Sequence, residues 1–198
     1  MNLRFNLPRF TWAAWFLLLV VLVLPQSILA ERNFSLNGSF HVGSTYPLSY
    51  LNGRSDSNIH FRFDLGLRYQ LTDKLAVAAV GFYGFNQFTQ DPIVDDNLYW
   101  RNISVNAKVI WSFTNYYLYL QAGPGSYKTK ENLIQSDYTA GQIDSGYNVG
   151  GGFQVKMSGS SRLEFGVDYH RFNASGYSGT EINTEFLTLQ LGVIFPLF

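Results

Sequence analysis

The 198-residue chain contains no cysteine. That excludes disulfides, thiolate metal sites and a lipid-modified N-terminal cysteine. Charge is scarce: Asp, Glu, Lys and Arg make up 14% of the residues, against about 25% in an ordinary soluble domain. The 14 basic and 14 acidic side chains balance to zero, so there is no basic surplus of the kind that nucleic-acid binding requires. Mean hydropathy is −0.02, which excludes a bundle of transmembrane helices. Aromatic residues are abundant at 17%, with 13 Tyr and 17 Phe. Low charge, many aromatics and neutral average hydropathy fit a transmembrane β-barrel, in which apolar and polar residues alternate and cancel in any window average. An aromatic-rich soluble β-sandwich shares that profile.

The N-terminus speaks to compartment. Arg4 and Arg9 are the only charged residues before Glu31. They precede Trp12–Leu24, WAAWFLLLVVLVL, then Pro25 and Ser27-Ile28-Leu29-Ala30. A short positive segment, an apolar stretch and a small residue at Ala30 predict a cleaved secretory signal peptide over residues 1–30. The apolar run is short for a helical span of about 20 residues, which disfavours an uncleaved anchor.

Residues 31–198 form the expected domain, and from residue 33 onward the period is two, not 3.6. In NIHFRFDLGLRYQL, residues 58–71, every odd position from Ile59 to Leu71 is apolar. The even positions are His60, Arg62, Asp64, Gly66, Arg68 and Gln70. Similar alternation marks 34–42, 99–113, 147–157, 162–172 and 184–198. YYLYLQAGPGSYK, 116–128, reads as a further strand. LAVAAVGFYGF, 75–85, is apolar on both faces, so its register stays open. Eight strands result, each long enough for the roughly 9–11 residues of a tilted membrane strand. Long polar links at about 45–57, 86–98, 129–145 and 173–183 alternate with short turns at 72–74, 114–115 and 158–161. Sorting of this kind, with short turns on one side and long loops on the other, is a property of membrane barrels.

The expected fold is therefore all-β: an eight-stranded antiparallel up-and-down transmembrane β-barrel after a signal peptide. The apolar set faces lipid and the polar set faces the lumen. Arg62, Arg68 and Lys108 share the polar parity with Asp64, Glu164 and Asp168, and so do His60 and His170. An eight-stranded barrel is just wide enough for side chains to fill it. These eight residues are expected to form a lumen polar network. Aromatics near strand ends (Tyr83 and Phe85, Tyr99 and Trp100, Trp111 and Phe113, Tyr116 and Tyr117, Tyr169 and Phe172) are expected to form interfacial girdles.

Four stretches, AGPGSYK (122–128), YNVGGGFQV (147–155), LEFGVDYHRF (163–172) and FLTLQLGVIFPLF (186–198), resemble the small OmpA-like and OmpX-like outer-membrane barrels of Gram-negative bacteria. The resemblance spans most of 33–198. It implies an outer-membrane location, both termini in the periplasm and four loops outside. It also implies that terminal Phe198 serves as a signal to the barrel-assembly machinery. The alternation places Leu197, not Phe198, on the lipid face, and Pro196 interrupts the pattern, so either the terminal signal is imperfect or a bulge there resets the register. The partners implied are outer-membrane lipid and lipopolysaccharide, the assembly machinery during biogenesis, and an extracellular loop ligand of unknown identity. No nucleic acid is expected.

Some eight-stranded barrels edit lipid A. The lipid A deacylases carry His-x-Ser-Asn on a late strand, whereas this chain has His170-Arg171-Phe172-Asn173, with Phe172 in place of the nucleophile. His41, His60 and His170 lie on separate strands, which disfavours a metal site. Gly123-Pro124-Gly125 and Gly150-Gly151-Gly152 precede no helix, so they are not phosphate loops. No cofactor and no enzymatic activity are expected. The leading reading is a structural or surface-interaction protein. A narrow pore is the alternative, followed by a lipid A-modifying enzyme and a soluble lipocalin-like binder with inverted faces.

Overall fold

The computed structural model describes residues 33–48, 57–91, 96–131, 142–157, 159–175 and 181–197. The segment read as a signal peptide and the terminal Phe198 lie outside them. The alternating segments form eight strands: β1 (Phe34–Pro47), β2 (Ser57–Thr72), β3 (Leu75–Asp91), β4 (Asp96–Ser112), β5 (Tyr116–Glu131), β6 (Ile143–Lys156), β7 (Arg162–Ser175) and β8 (Glu181–Pro196). Each pairs antiparallel with its sequence neighbours, and β1 pairs with β8 to close the barrel. Closure leaves no strand edge exposed.

The strands run from 14 to 17 residues, longer than the roughly 9–11 that span a bilayer. Much of what reads as long link in the sequence is strand. The link expected over 86–98 shrinks to 92–95, because β3 and β4 stay paired out to Asp91 and Asp96. Short connections at 73–74, 113–115 and 157–161 share one end of the barrel, the turn end, with Asn33 and Leu197. The other four connections define the loop end.

Pairing settles the register of β3. Phe63 lies opposite Tyr83, and Tyr83 opposite Ile103. Val77, Ala79, Tyr83 and Phe85 therefore face outward, and Ala76, Ala78, Val80 and Phe82 face inward. The β4–β5 ladder skips Val105 and Asn106, which stand opposite Pro124 and Gly123. Proline has no N–H to give the ladder there. β8 pairs with β1 without a register shift as far as Pro196, and Leu197 stays exposed. No bulge resets the terminal pattern within the described strand.

The barrel is inverted relative to a soluble one. Outward side chains are large and apolar, with Phe63 57% and Leu120 60% exposed. Inward ones are polar and buried, among them His41, Arg62, Asn86, Gln121, Glu164 and Asp168. That polarity is opposite to the interior of a lipocalin-like binder.

Candidate functional site

The interior is filled in three layers. Nearest the loop end sits an aromatic layer of Trp100, Tyr127, Phe172, Ala174 and Phe186. Trp100 stacks on Phe186 at 5.8 Å and meets Phe172 edge-on at 5.4 Å. Tyr127 stacks on Phe172 at 4.3 Å. His170 stacks on Phe186 at 4.6 Å, its Nδ1 lies 3.0 Å from the Tyr127 hydroxyl, and its Nε2 lies 3.1 Å from Thr188 Oγ1. The girdle expectation is corrected here. Trp100 and Phe172 turn into the lumen, and so does Tyr117 at the turn end. Parity is the physical reason: Trp100 shares a face with Asn102 and Ser104, and Phe172 with Asp168 and His170. Position near a strand end says nothing about which face a side chain takes.

The middle layer is ionic. Arg62, 1% exposed, grips Asp64 with two hydrogen bonds, Nε to Oδ1 at 2.6 Å and Nη2 to Oδ2 at 2.8 Å. Its Nη1 donates to Asp168 Oδ2 at 2.5 Å, and its guanidinium lies 3.9 Å from the Phe82 ring centroid. Asp168 also accepts from Gln121 Nε2 at 2.7 Å and Gln190 Nε2 at 2.9 Å. Lys108 Nζ donates to Glu164 Oε2 at 2.7 Å, and Gln154 Nε2 to the same oxygen at 2.6 Å. His41 bridges the two groups, 3.4 Å from Asp64 and 3.9 Å from Glu164. His60 Nδ1 lies 2.8 Å from Asn86 Oδ1, and its Nε2 lies 3.2 Å from Gln190 Oε1. Such charges tolerate burial because each has an opposite partner, and side-chain amides donate further hydrogen bonds to Asp168 and Glu164.

Arg68 stands apart from this set. It donates to Gln70 Oε1 at 2.7 Å and lies over Tyr117 at the turn end. Arg162, 8% exposed, joins it there. Of the eight residues singled out from sequence, seven contribute to the upper and middle layers and Arg68 to the lower. His41 was expected to line the lumen with hydrogen bonds, as it does, but the network drawn from sequence left out Gln121, Gln154, Arg162 and Gln190. Inward parity alone does not say which partners a neutral amide meets, or that Arg162 joins Arg68 at the turn end.

Glycines make room for these side chains. A Cβ on Gly150 would run into the Asp168 carboxylate, one on Gly166 into the Tyr119 hydroxyl, and one on Gly192 into the His41 ring.

Among the described residues no cluster of His, Cys, Asp and Glu could hold a metal ion. No helix of the described residues is long and apolar enough to cross a membrane.

Comparison with curated proteins returns no match. Several solved structures share the fold. Neisserial surface protein A is 16% identical with a TM-score of 0.54, over 81% of this chain and 95% of that one. The attachment invasion locus protein Ail of Yersinia pestis is 17% identical with a TM-score of 0.53, over 82% and 98%. The outer membrane enzyme PagL is 11% identical with a TM-score of 0.51, over 81% and 99%. Residues 16–195 match the family described as "Outer membrane protein beta-barrel domain". The chain belongs to that family and is an eight-stranded barrel of the bacterial outer membrane.

Proposed function

We propose that this barrel is non-enzymatic and serves as a structural and surface-interaction protein, presenting its loop end to the exterior. The observation that carries this reading is the filled interior. Trp100, Phe172 and Phe186 pack across the lumen near the loop end, and Arg62 joins β2 to β7 below them. An eight-stranded barrel has room for such packing and little else, which disfavours a pore.

The histidine chemistry points the same way. His170 is buried in the lumen between Tyr127 and Thr188, and Phe172 belongs to the aromatic layer. A base that acts on a lipid needs access to lipid and a nucleophile within reach.

Two features support the proposed partners. On the outward face near the loop end, Arg101 stands directly opposite Lys128, and both are exposed. Like charges in that position repel, and an anionic lipopolysaccharide group between them relieves the repulsion. The final strand presents Val193, Phe195 and Leu197 outward in alternation, a form suited to recognition by the barrel-assembly machinery together with Phe198. Two proteins of the same fold are titled a surface protein and an attachment invasion locus protein, in keeping with a role at the surface.

Planar-bilayer recording of refolded protein tests the central claim. Silent membranes are expected, and repeatable single-channel steps would replace this reading with the pore. Incubation with purified lipid A provides the enzymatic counterpart, where unchanged acyl chains are expected.

A further inference from the structure

The turn end carries an arrangement of charge that the ionic middle layer does not use. Three cations from three strands surround one ring: Arg68 of β2, Lys156 of β6 and Arg162 of β7 lie 5.4, 5.5 and 5.2 Å from the Tyr117 ring centroid. Among the described residues, none of the three makes an ion pair with a carboxylate. Arg68 donates to Gln70, Lys156 to the Thr114 carbonyl at 2.9 Å, and Arg162 to Gln154 Oε1 at 3.0 Å and Asn37 Oδ1 at 3.4 Å. Glu164 is Arg162's neighbour on the same face, but its Oε2 accepts from Lys108 and Gln154 and its Oε1 lies 3.9 Å from His41 Nδ1.

This is costly as it stands. A guanidinium only 8% exposed, held by neutral amides beside a second guanidinium, has lost much of its hydration without gaining a carboxylate in direct contact. Space for a counter-charge adjoins Arg68. Arg68, Lys74, Lys156 and Tyr117 line an open vestibule of about 990 Å³, whose one acidic lining residue among the described ones is Asp73. Arg68 also lines, with Arg162, a small cavity of about 40 Å³, and it is the lining residue that the two spaces share. The vestibule wall includes Trp111, Phe113 and Tyr116, which lie on the outward face where aromatic side chains meet the membrane interface.

We propose that the turn-end vestibule is a phosphate-binding site, with Arg68 and Lys156 as its ligands and Tyr117 as its floor, and with Arg162 adding positive charge from the small cavity behind Arg68. Arg68 and Lys156 reach the vestibule from two strands, β2 and β6. A tetrahedral phosphate presents several oxygens to them and carries a larger charge than a carboxylate. Guanidinium groups match phosphate geometry, and the ammonium adds a point charge. The phosphate belongs either to a small soluble ligand or to a phospholipid headgroup at the adjoining interface.

The full chain, refolded in detergent, is titrated with sodium phosphate against sodium chloride at matched ionic strength. In parallel it is placed in nanodiscs of phosphatidylcholine, whose choline neutralises the headgroup phosphate, with and without phosphatidylglycerol, whose phosphate carries an uncompensated charge. The midpoint of heat-induced gel-mobility change is read in both arms. Phosphate or phosphatidylglycerol is expected to raise it, and the responding arm identifies the source. Arg68→Gln/Lys156→Gln is expected to weaken the effect by about tenfold or more in concentration. Both changes lie at the open mouth, so this variant carries the test even where Arg162→Gln fails to refold. A wild-type midpoint indifferent to both phosphates, or a shift undiminished in the double variant, overturns the proposal.

Discussion

Arg62 Nη1 meets Asp168 Oδ2 at 2.5 Å across the barrel, joining β2 to β7 over the two strands that lie between them. The same guanidinium holds Asp64 on its own strand with two further bonds. One cation thus organises two buried carboxylates, and the middle of the lumen depends on it.

Arg62→Met leaves both carboxylates without their cation. Breaking a buried pair from one side costs about 3–5 kcal/mol. Urea unfolding in lipid vesicles is expected to register a loss of that size. Adding Asp64→Asn and Asp168→Asn to the same chain should recover part of it, because the stranded charges are then gone. A triple variant weaker than Arg62→Met alone would show that the amides cannot replace the ion pairs.

Trp100→Ala removes the largest side chain of the aromatic layer. Emptying such a site costs about 3–5 kcal/mol. The interior below remains closed by Arg62 and its partners, so bilayers are expected to stay silent. Trp100→Ala combined with Arg62→Ala opens both levels, and conductance steps are expected only there.

Phe63 and Asp64 are neighbours in sequence on opposite faces. Phe63 is 57% exposed on the outward face, midway along β2. Phe63→Arg places a cation toward lipid at a cost of about 2–4 kcal/mol. Asp64→Asn leaves Arg62 paired with Asp168. Phe63→Arg should abolish the heat-modifiable band in membranes, and Asp64→Asn should keep it with a lower midpoint. The opposite result would mean that the two faces are exchanged.

Two glycines make the same point through space alone. A Cβ on inward Gly150 meets the Asp168 carboxylate and the Val167 carbonyl, whereas one on outward Gly81 has only the Leu65 carbonyl, at 4.0 Å. Gly150→Val is expected to block folding in a gel-shift assay, and Gly81→Val to fold with near-native yield.

Much of this was readable from residues alone. Strict alternation over Ile59–Leu71 assigns each side chain of β2 to one face, and charges that share the polar parity belong inside once the outside is lipid. By the same rule the inward turn of Trp100 and Phe172 was also readable. Grouping aromatics by nearness to strand ends obscured it. For β3 no such reading exists, because 75–85 is apolar on both faces, and only pairing with β2 and β4 decides which set turns inward.

The sequence by itself determined an inverted barrel: the number of strands, the faces of most of them, and polar material within. Tertiary structure decided who meets whom. Arg62 and Asp168 are 106 positions apart, and Arg68 shares both charge and parity with Arg62 yet pairs with no carboxylate among the described residues. The difference is height along the barrel axis, set by the register of eight strands and the closure of β1 on β8. A period of two specifies a face, but it carries no information about that height.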